Sequence, residues 1–408
     1  MLDFARRRAL VFVSWGLVSL GAPAWADPVL DWSSTVDSAT AKVLGARGER
    51  ARAIAWLAAF NALNAIDPRY RAYEPAPAAV GSGTVSPAPT ATLAAALYTA
   101  LAVEPEADQA LLLRNYRDTL AAVKIAPERD AGVALGSRAA VLLLAARAGD
   151  RLGRVDSVLK KPGPGIYVKP GYAKMGTSVT LAGLAPFGVR SVAAFDPGPP
   201  PATGSEAAER DIAEVRALGA AQSTTRSAEQ TAAALFWNSG EPGDYAAVVT
   251  PALEARKLDA LDTTRILALE AMISVDTGIT MALLKDRYQH WRPETAIAGP
   301  FAAAGAGEAG WQPLVRVPNS PEYPSGGGSG AGKLEVVLPR LMGATGALEW
   351  RNTQTQQTRR WPDAAALGNE FASARVWAGV HFRSAVDAGR KVGRRVATEI
   401  LDRQLLPR

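Results

Sequence analysis

Three short stretches in the last third of the chain carry residue types that can act on an anion. The first is Lys285-x6-Arg292-Pro293, within LLKDRYQHWRPETAI. Read as one continuous helix, seven residues make nearly two turns, so both cations would leave one face about 10 Å apart along the axis. Two cations so placed can grip a multivalent anion from different sides. Lysine is scarce, ten of the 45 basic residues, which gives that slot some weight. The second stretch is Pro321-Glu322-Tyr323-Pro324-Ser325-Gly326-Gly327-Gly328-Ser329-Gly330. A Pro-Ser-Gly turn exposes a hydroxyl and backbone N–H groups to an oxyanion. The third is Ala374-Arg375-Val376-Trp377-Ala378-Gly379-Val380-His381-Phe382-Arg383. Arg375 and His381 would lie on different sides of a straight helix, so a shared site requires a bend, and Gly379 is the available hinge. Taken singly, each has an ordinary reading: a solvated basic face, a flexible linker, a structural histidine.

The rest of the composition narrows the chemistry. The 408 residues include no cysteine and only two histidines, His290 and His381. Disulfides, thiolate zinc sites, iron–sulfur clusters, thiol nucleophiles and three-histidine metal sites are excluded. On a continuous helix His290 stands about 140° round from Lys285 and points elsewhere, which makes it structural. Trp291, Phe236 and Trp237 are read as core before pocket lining.

In order and spacing the three stretches resemble the signature shared by vanadium-dependent haloperoxidases and type 2 phosphatidic acid phosphatases: Lys-x6-Arg-Pro, Pro-Ser-Gly-His, Ser-Arg-x3-Gly-x-His. Residues 51–73 (ARAIAWLAAFNALNAIDPRYRAY), Glu214–Gly219 with Arg226, and Glu229–Trp237 are similar to the soluble, secreted bacterial haloperoxidase-like branch, and the resemblance covers nearly all of 40–400. It implies an all-α fold around two helical bundles. It implies that Lys285, Arg292, Arg375, Ser325 and the Gly326 amide hold the equatorial oxygens of vanadate, with phosphate able to take the same place and no haem. His381 would be the axial vanadium ligand, or the nucleophile of a phosphatase. The implied partners are small molecules, peroxide and halide or a phosphoester.

The match fails at one important place. The family's second motif ends in an acid/base histidine, and here that position is Gly327. Ala374 replaces the usual serine, and the carboxylate often found four residues after the last histidine is Ala385, with Asp387 two residues late. Losing a general acid costs about 10² to 10⁴ in rate. The resemblance therefore implies an oxyanion-binding haloperoxidase-like protein with altered chemistry. An acid phosphatase and a non-catalytic oxyanion-binding homologue are the alternatives.

The elements that must position these residues are helices. The chain is 48% hydrophobic and 21% charged, a composition that folds. Helical periodicity predicts elements over 49–66, 92–103, 106–123, 129–152, 205–219, 227–237, 245–257 and 262–290, with Asp262 as a candidate N-cap of the last. Residues 318–333 read as a Gly-rich loop, with helices following from Leu334, Asp363 and Phe382. Strand patterning is almost absent. Residues 1–26 read as a signal peptide: Arg6-Arg7-Arg8, an apolar run from Ala9 to Gly21, then Ala24-Trp25-Ala26. The expected organisation is a signal over 1–26, an N-terminal bundle over 27–160, an irregular Pro/Gly-rich connection over 161–205 and a C-terminal bundle with the site over 206–408. The mature chain would be periplasmic or secreted, without a membrane span. The net charge of +6, without basic runs interleaved with aromatics, gives no nucleic-acid footprint.

Overall fold

In the computed structural model the described residues are 28–408 apart from 44, 82–84, 151–158, 169–180, 182, 239–251, 300, 303–307, 309, 344 and 353. The signal-like residues 1–26 and most of the expected 245–257 helix lie outside them.

The described chain is a mainly helical protein, as the periodicity predicts. Helices α1 (Pro28–Thr40), α2 (Ala46–Ile66), α3 (Pro89–Leu101), α4 (Gln109–Ala122) and α5 (Ala126–Ala146) come first. Helix α2 buries the expected stripe of Trp56, Leu57, Phe60 and Leu63, and most of its alanines too, because α3 and α5 pack on it. Helices α6 (Glu206–Gly219) and α7 (Ala228–Asn238) lead to the long α8 (Ala260–Tyr288) and the short α9 (Pro293–Ala298). Then come α10 (Gly326–Arg340), a hairpin of β1 (Leu348–Arg351) and β2 (Thr358–Trp361), α11 (Ala364–Trp377) and α12 (Arg383–Arg403).

Helix α8 is the shared wall. It packs on α2 on one side and on α10 and α12 on the other, and one apolar core runs from Val29 to Leu405. Its N-cap is Asp259, whose carboxylate accepts from the Asp262 N–H at 2.8 Å; the expected cap, Asp262, stands inside the first turn. By length and composition α8 passes for a membrane span, but most of its apolar window is buried inside the protein. At its middle Asp276 accepts the N–H groups of Phe187 (2.7 Å), Gly188 (2.7 Å) and Val189 (2.9 Å). Burial pushes this carboxyl up to about 6 against those three bonds.

Two features depart from the sequence reading. Trp350 and Trp361, on the antiparallel hairpin, close an aromatic cluster with Phe236 and Trp237, and Trp237 stacks on Phe371 at 4.2 Å. Four-residue strands carry too little alternation to stand out among helices. The larger correction is the glycine run. Residues 326–333 are not loop but the first two turns of α10, capped by Ser325, whose Oγ accepts the Gly328 N–H at 3.2 Å.

Glycine is a poor helix former, so packing must supply what propensity withholds. A Cβ on Gly328 would lie 2.4 Å from the Val386 carbonyl oxygen, and one on Gly332 would lie 2.1 Å from that of Arg390. Across the contact, Gly389 and Gly393 meet the carbonyl oxygens of Ser325 and Ser329 just as closely. The two helices therefore touch backbone to backbone, and this brings the N-terminus of α10 beside the start of α12. Gly332→Ala should lower unfolding stability by about 1–3 kcal/mol in urea titration, the usual range for overpacking. Gly326→Ala, whose Cβ would meet nothing within 4 Å, should leave stability nearly unchanged. Equal losses in both variants would contradict the helix contact.

Candidate functional site

Lys285 and Arg292 converge, but not through a shared helical face. Helix α8 ends at Tyr288, and Gln289 caps it in the left-handed region (φ 46°), its N–H returning to the Lys285 carbonyl at 3.0 Å. The chain then runs extended, with Tyr167 N–H donating to the Gln289 carbonyl and Trp291 N–H to that of Gly165. Arg292 is the N-cap residue of α9, with Pro293 at the first helical position. The left-handed turn, invisible to a periodicity argument, reverses the chain and sends Arg292 back towards Lys285.

Both cations are buried and held by backbone carbonyls. Lys285 Nζ donates to the carbonyl of Pro321 and, at 3.2 Å, to that of Glu322. Arg292 donates from Nε to the Ser320 carbonyl (2.9 Å) and from Nη1 to the Val380 carbonyl (2.8 Å). Its Nη2 reaches Ser320 Oγ at 3.2 Å and the Pro321 carbonyl at 3.4 Å, while Nη1 lies 3.1 Å from His381 Nε2.

The turn between α11 and α12 places His381. Helix α11 ends after Arg375, and Gly379 bends the chain at φ 78°, the hinge the spacing requires. Gly379 also lies flat against Gly219 and Pro313, where a Cβ would sit 2.4 Å from the Gly219 carbonyl oxygen. His381 Nδ1 meets Glu322 Oε1 at 2.8 Å, and the Phe382 N–H donates to the same oxygen at 3.0 Å. His290 Nδ1 meets the other oxygen, Oε2, at 3.2 Å. His290 thus does not point away from the site: it has left the helix and lies on the carboxylate that holds His381.

Charge follows from this geometry. Glu322 is fully buried, which by itself would raise its carboxyl; the hydrogen bonds from His290 and His381 outweigh that and hold it well below the usual carboxylate range. Burial, then Arg292, pushes His381 well below its ordinary value, so its ring is neutral. An ionised carboxylate only accepts. The His381 proton therefore sits on Nδ1, and Nε2 presents a lone pair beside Arg292. Burial takes Arg292 and Arg375 down to about 10, leaving both cationic at neutral pH. Burial, then Arg292, lowers Lys285 well below 10.5.

Arg375 completes the cluster. Its stem crosses Gly327 at the N-terminus of α10, and its Nη1 donates to Asn238 Oδ1. Its buried Nε has no hydrogen-bond partner. The structure thus brings together Lys285, Arg292, Arg375, His381 and the Ser325–Gly326 helix start. Glu322 and Asn238 are the residues sequence reasoning missed. Glu322 had a visible signal, a lone carboxylate between Pro321 and Pro324 within a motif stretch; Asn238 had none. Trp291, Phe236 and Trp237 are core, as expected.

The residues suit a tetrahedral or trigonal-bipyramidal oxyanion such as vanadate. Lys285 and Arg292 are buried and Arg375 half-buried, the buried carboxylate beside them, Glu322, is committed to imidazoles, the Arg375 Nε is unpartnered, and the Arg375 stem lies on the N-terminus of α10. Gly327 is where geometry overrides the family comparison. A Cβ there would lie 2.5 Å from Arg375 Cδ and 2.7 Å from its Nε, so a histidine would displace the arginine stem rather than face an anion. Gly327→His should weaken orthovanadate and phosphate binding about tenfold or more by equilibrium dialysis, the scale of one charge-assisted contact. Tighter binding in the variant would show that Arg375 does not occupy that space.

Comparison with known proteins agrees with the helical fold. Residues 265–405 match the family model described as the VCPO second helical-bundle domain. No curated protein matches the chain. Among solved structures, the chain is similar to the first bacterial vanadium-dependent iodoperoxidase, at 21% identity and TM-score 0.77, covering 93% of this chain and 96% of that one. It is similar to the apo form of a bacterial vanadium-dependent chloroperoxidase at 16% identity and TM-score 0.71, covering 91% and 97%. The holo chloroperoxidase gives 17% and 0.68, covering 91% and 94%. The fold is theirs, and residues 265–405 carry the VCPO second helical-bundle domain.

Proposed function

We propose that the protein is a vanadate-dependent oxidoreductase of the haloperoxidase type, acting on peroxide and a halide, with proton transfer arranged differently from its relatives. The observation that carries this reading is the gathering of Lys285, Arg292 and Arg375 around a neutral imidazole whose Nε2 lone pair faces Arg292 Nη1 at 3.1 Å. Bound vanadate would supply a centre that activates peroxide. Lys285, Arg292 and Arg375 would hold its oxygens with the Ser325 hydroxyl and the Gly326 N–H, and His381 Nε2 would be the side-chain ligand to the vanadium. Glu322 keeps the His381 proton on Nδ1, so that Nε2 stays available. The similar structures, an iodoperoxidase and a chloroperoxidase, support halide oxidation as the class. The signal-like residues 1–26 support export to the periplasm or beyond.

Gly327 favours a second reading, a non-catalytic oxyanion-binding protein. Without a side chain there, position 327 has no group to give a proton to a leaving oxygen. The same gap weighs against an acid phosphatase, whose leaving alcohol needs that proton.

Protein equilibrated with orthovanadate and desalted should retain vanadium near one per chain by elemental analysis, and should oxidise iodide with peroxide. Retained vanadium without turnover would select the binding reading; turnover of p-nitrophenyl phosphate with no retained vanadium would select the phosphatase. His381→Ala should lose the retained vanadium while the three cations still bind phosphate. Binding should also depend on pH through Lys285. Its charge is disfavoured in the anion-free site and favoured beside a trivalent anion, so binding takes up a proton. Affinity for vanadate or phosphate should fall as pH rises through the alkaline range, beyond the anion's own titration. A Lys285→Met variant should lose that extra slope; an unchanged slope would remove Lys285 from the site.

A further inference from the structure

Both histidines of this chain, 91 positions apart, lie on the two oxygens of one buried carboxylate. A carboxylate placed only to offset charge would pair with a neighbouring cation. Glu322 does not: Lys285 and Arg292 spend their N–H groups on the carbonyls of residues 320, 321, 322 and 380. Its Oε1 takes the His381 ring and the Phe382 N–H, and its Oε2 takes the His290 ring. His290 also holds Glu322 by the main chain, its carbonyl accepting the Glu322 N–H at 2.9 Å. The sequence position from which relatives supply a carboxylate, four after the last histidine, is the buried Ala385, whose carbonyl instead accepts the Ser325 N–H at 2.9 Å.

We propose that Glu322 and His290 are positioning residues for His381: Glu322 fixes the ring's orientation and its Nδ1–H tautomer, and His290 clamps Glu322 so that it cannot turn to the neighbouring cations. The inference deepens the reading of His381 as the axial ligand and rests on it for its functional meaning, but its structural content stands without any anion. Removing the His290 ring leaves Oε2 unpaired in the interior, where a bare anionic oxygen is strongly disfavoured. Lys285 and Arg292 are the cations nearby, and rotation towards them takes the acceptor away from His381 Nδ1. A neutral imidazole without that acceptor shifts its proton to Nε2, and the lone pair is lost from the cage. Partners of this kind, one bond behind a ligand, typically change affinity 10–100-fold.

The test uses the full chain with ¹⁵N-labelled histidine, free of oxyanion, at one neutral pH. Two histidines give two ring systems in long-range ¹H–¹⁵N correlation spectra, and the His290 variants assign them. Wild type should show both rings protonated on Nδ1. In His290→Ala the His381 ring should shift towards the Nε2–H form, and orthovanadate affinity should fall about tenfold or more. His290→Gln, whose amide N–H can reach Oε2, should restore most of both. Glu322→Gln presents an NH₂ group to one ring, so one of the two rings should change tautomer. This variant answers the question if His290→Ala does not fold. A wild-type His381 protonated on Nε2, or a folded His290→Ala with wild-type tautomer and vanadate affinity, overturns the proposal. So does a Glu322→Gln spectrum in which neither ring changes. Expected tautomers in a protein that retains no vanadate would sink the functional reading and leave the positioning intact; retained vanadium with an Nε2–H His381 would do the reverse.

Discussion

Burying three side-chain cations around one place is costly, and the rest of the site is arranged to bear that cost. Lys285 and Arg292 are taken out of water, Arg375 largely so, and the buried carboxylate beside Lys285 and Arg292 is occupied by imidazoles. Main-chain carbonyls of the 320–322 loop and of Val380 partly compensate, as uncharged acceptors can. An anion would finish the compensation. The turn after α8, the 320–325 loop and the α11–α12 turn must therefore all keep their shapes together, because each provides either a cation or the carbonyls that steady one.

The glycine-paired contact between α10 and α12 serves the same constraint from below. It lets Ser325 and Gly326 stand beside the residues that follow His381, with the Ser325 N–H bonded to the Ala385 carbonyl. A helix start, with its unpaired N–H groups, thus faces the cations from close range. Ordinary side chains at Gly328, Gly332, Gly389 and Gly393 would hold the helices further apart and carry that start away from His381. Glycine's weak helical propensity is outweighed here by contact that only glycine permits.

Much of this was legible in sequence, and the rest failed for identifiable reasons. The resemblance of the three motifs, in order and spacing, grouped Lys285, Arg292, Arg375, Ser325, Gly326 and His381. The need for a bend at Gly379 followed from spacing alone, and the structure has it. How Lys285 meets Arg292 did not follow, because a left-handed Gln289 carries no periodic signal. The same turn hid His290, whose assigned direction assumed a helix that stops two residues earlier. The glycine run read as loop because propensity is local while the contact with α12 is not. Glu322 sat in a quoted motif without a role, since nothing in one sequence says that a glutamate at 322 will lie beside histidines at 290 and 381.

The two departures from the family pattern are physically linked through Arg375. With no Cβ at 327, the arginine stem lies directly over the helix start and its guanidinium reaches Asn238 at the end of α7. The motif that this stretch resembles has a histidine at that position; here the arginine stem takes the space a side chain would need. On the proposed reading, the exchange would strengthen the hold on a bound oxyanion and leave no titratable ring at that position. The other histidine does not take over that role, because its Nδ1 is spent on Glu322. On the proposed reading, protons consumed at the anion come from water or from the peroxide itself. A site so built would trade catalytic proton transfer for tighter retention of an oxyanion, which would reconcile the gathered cations with a glycine at 327.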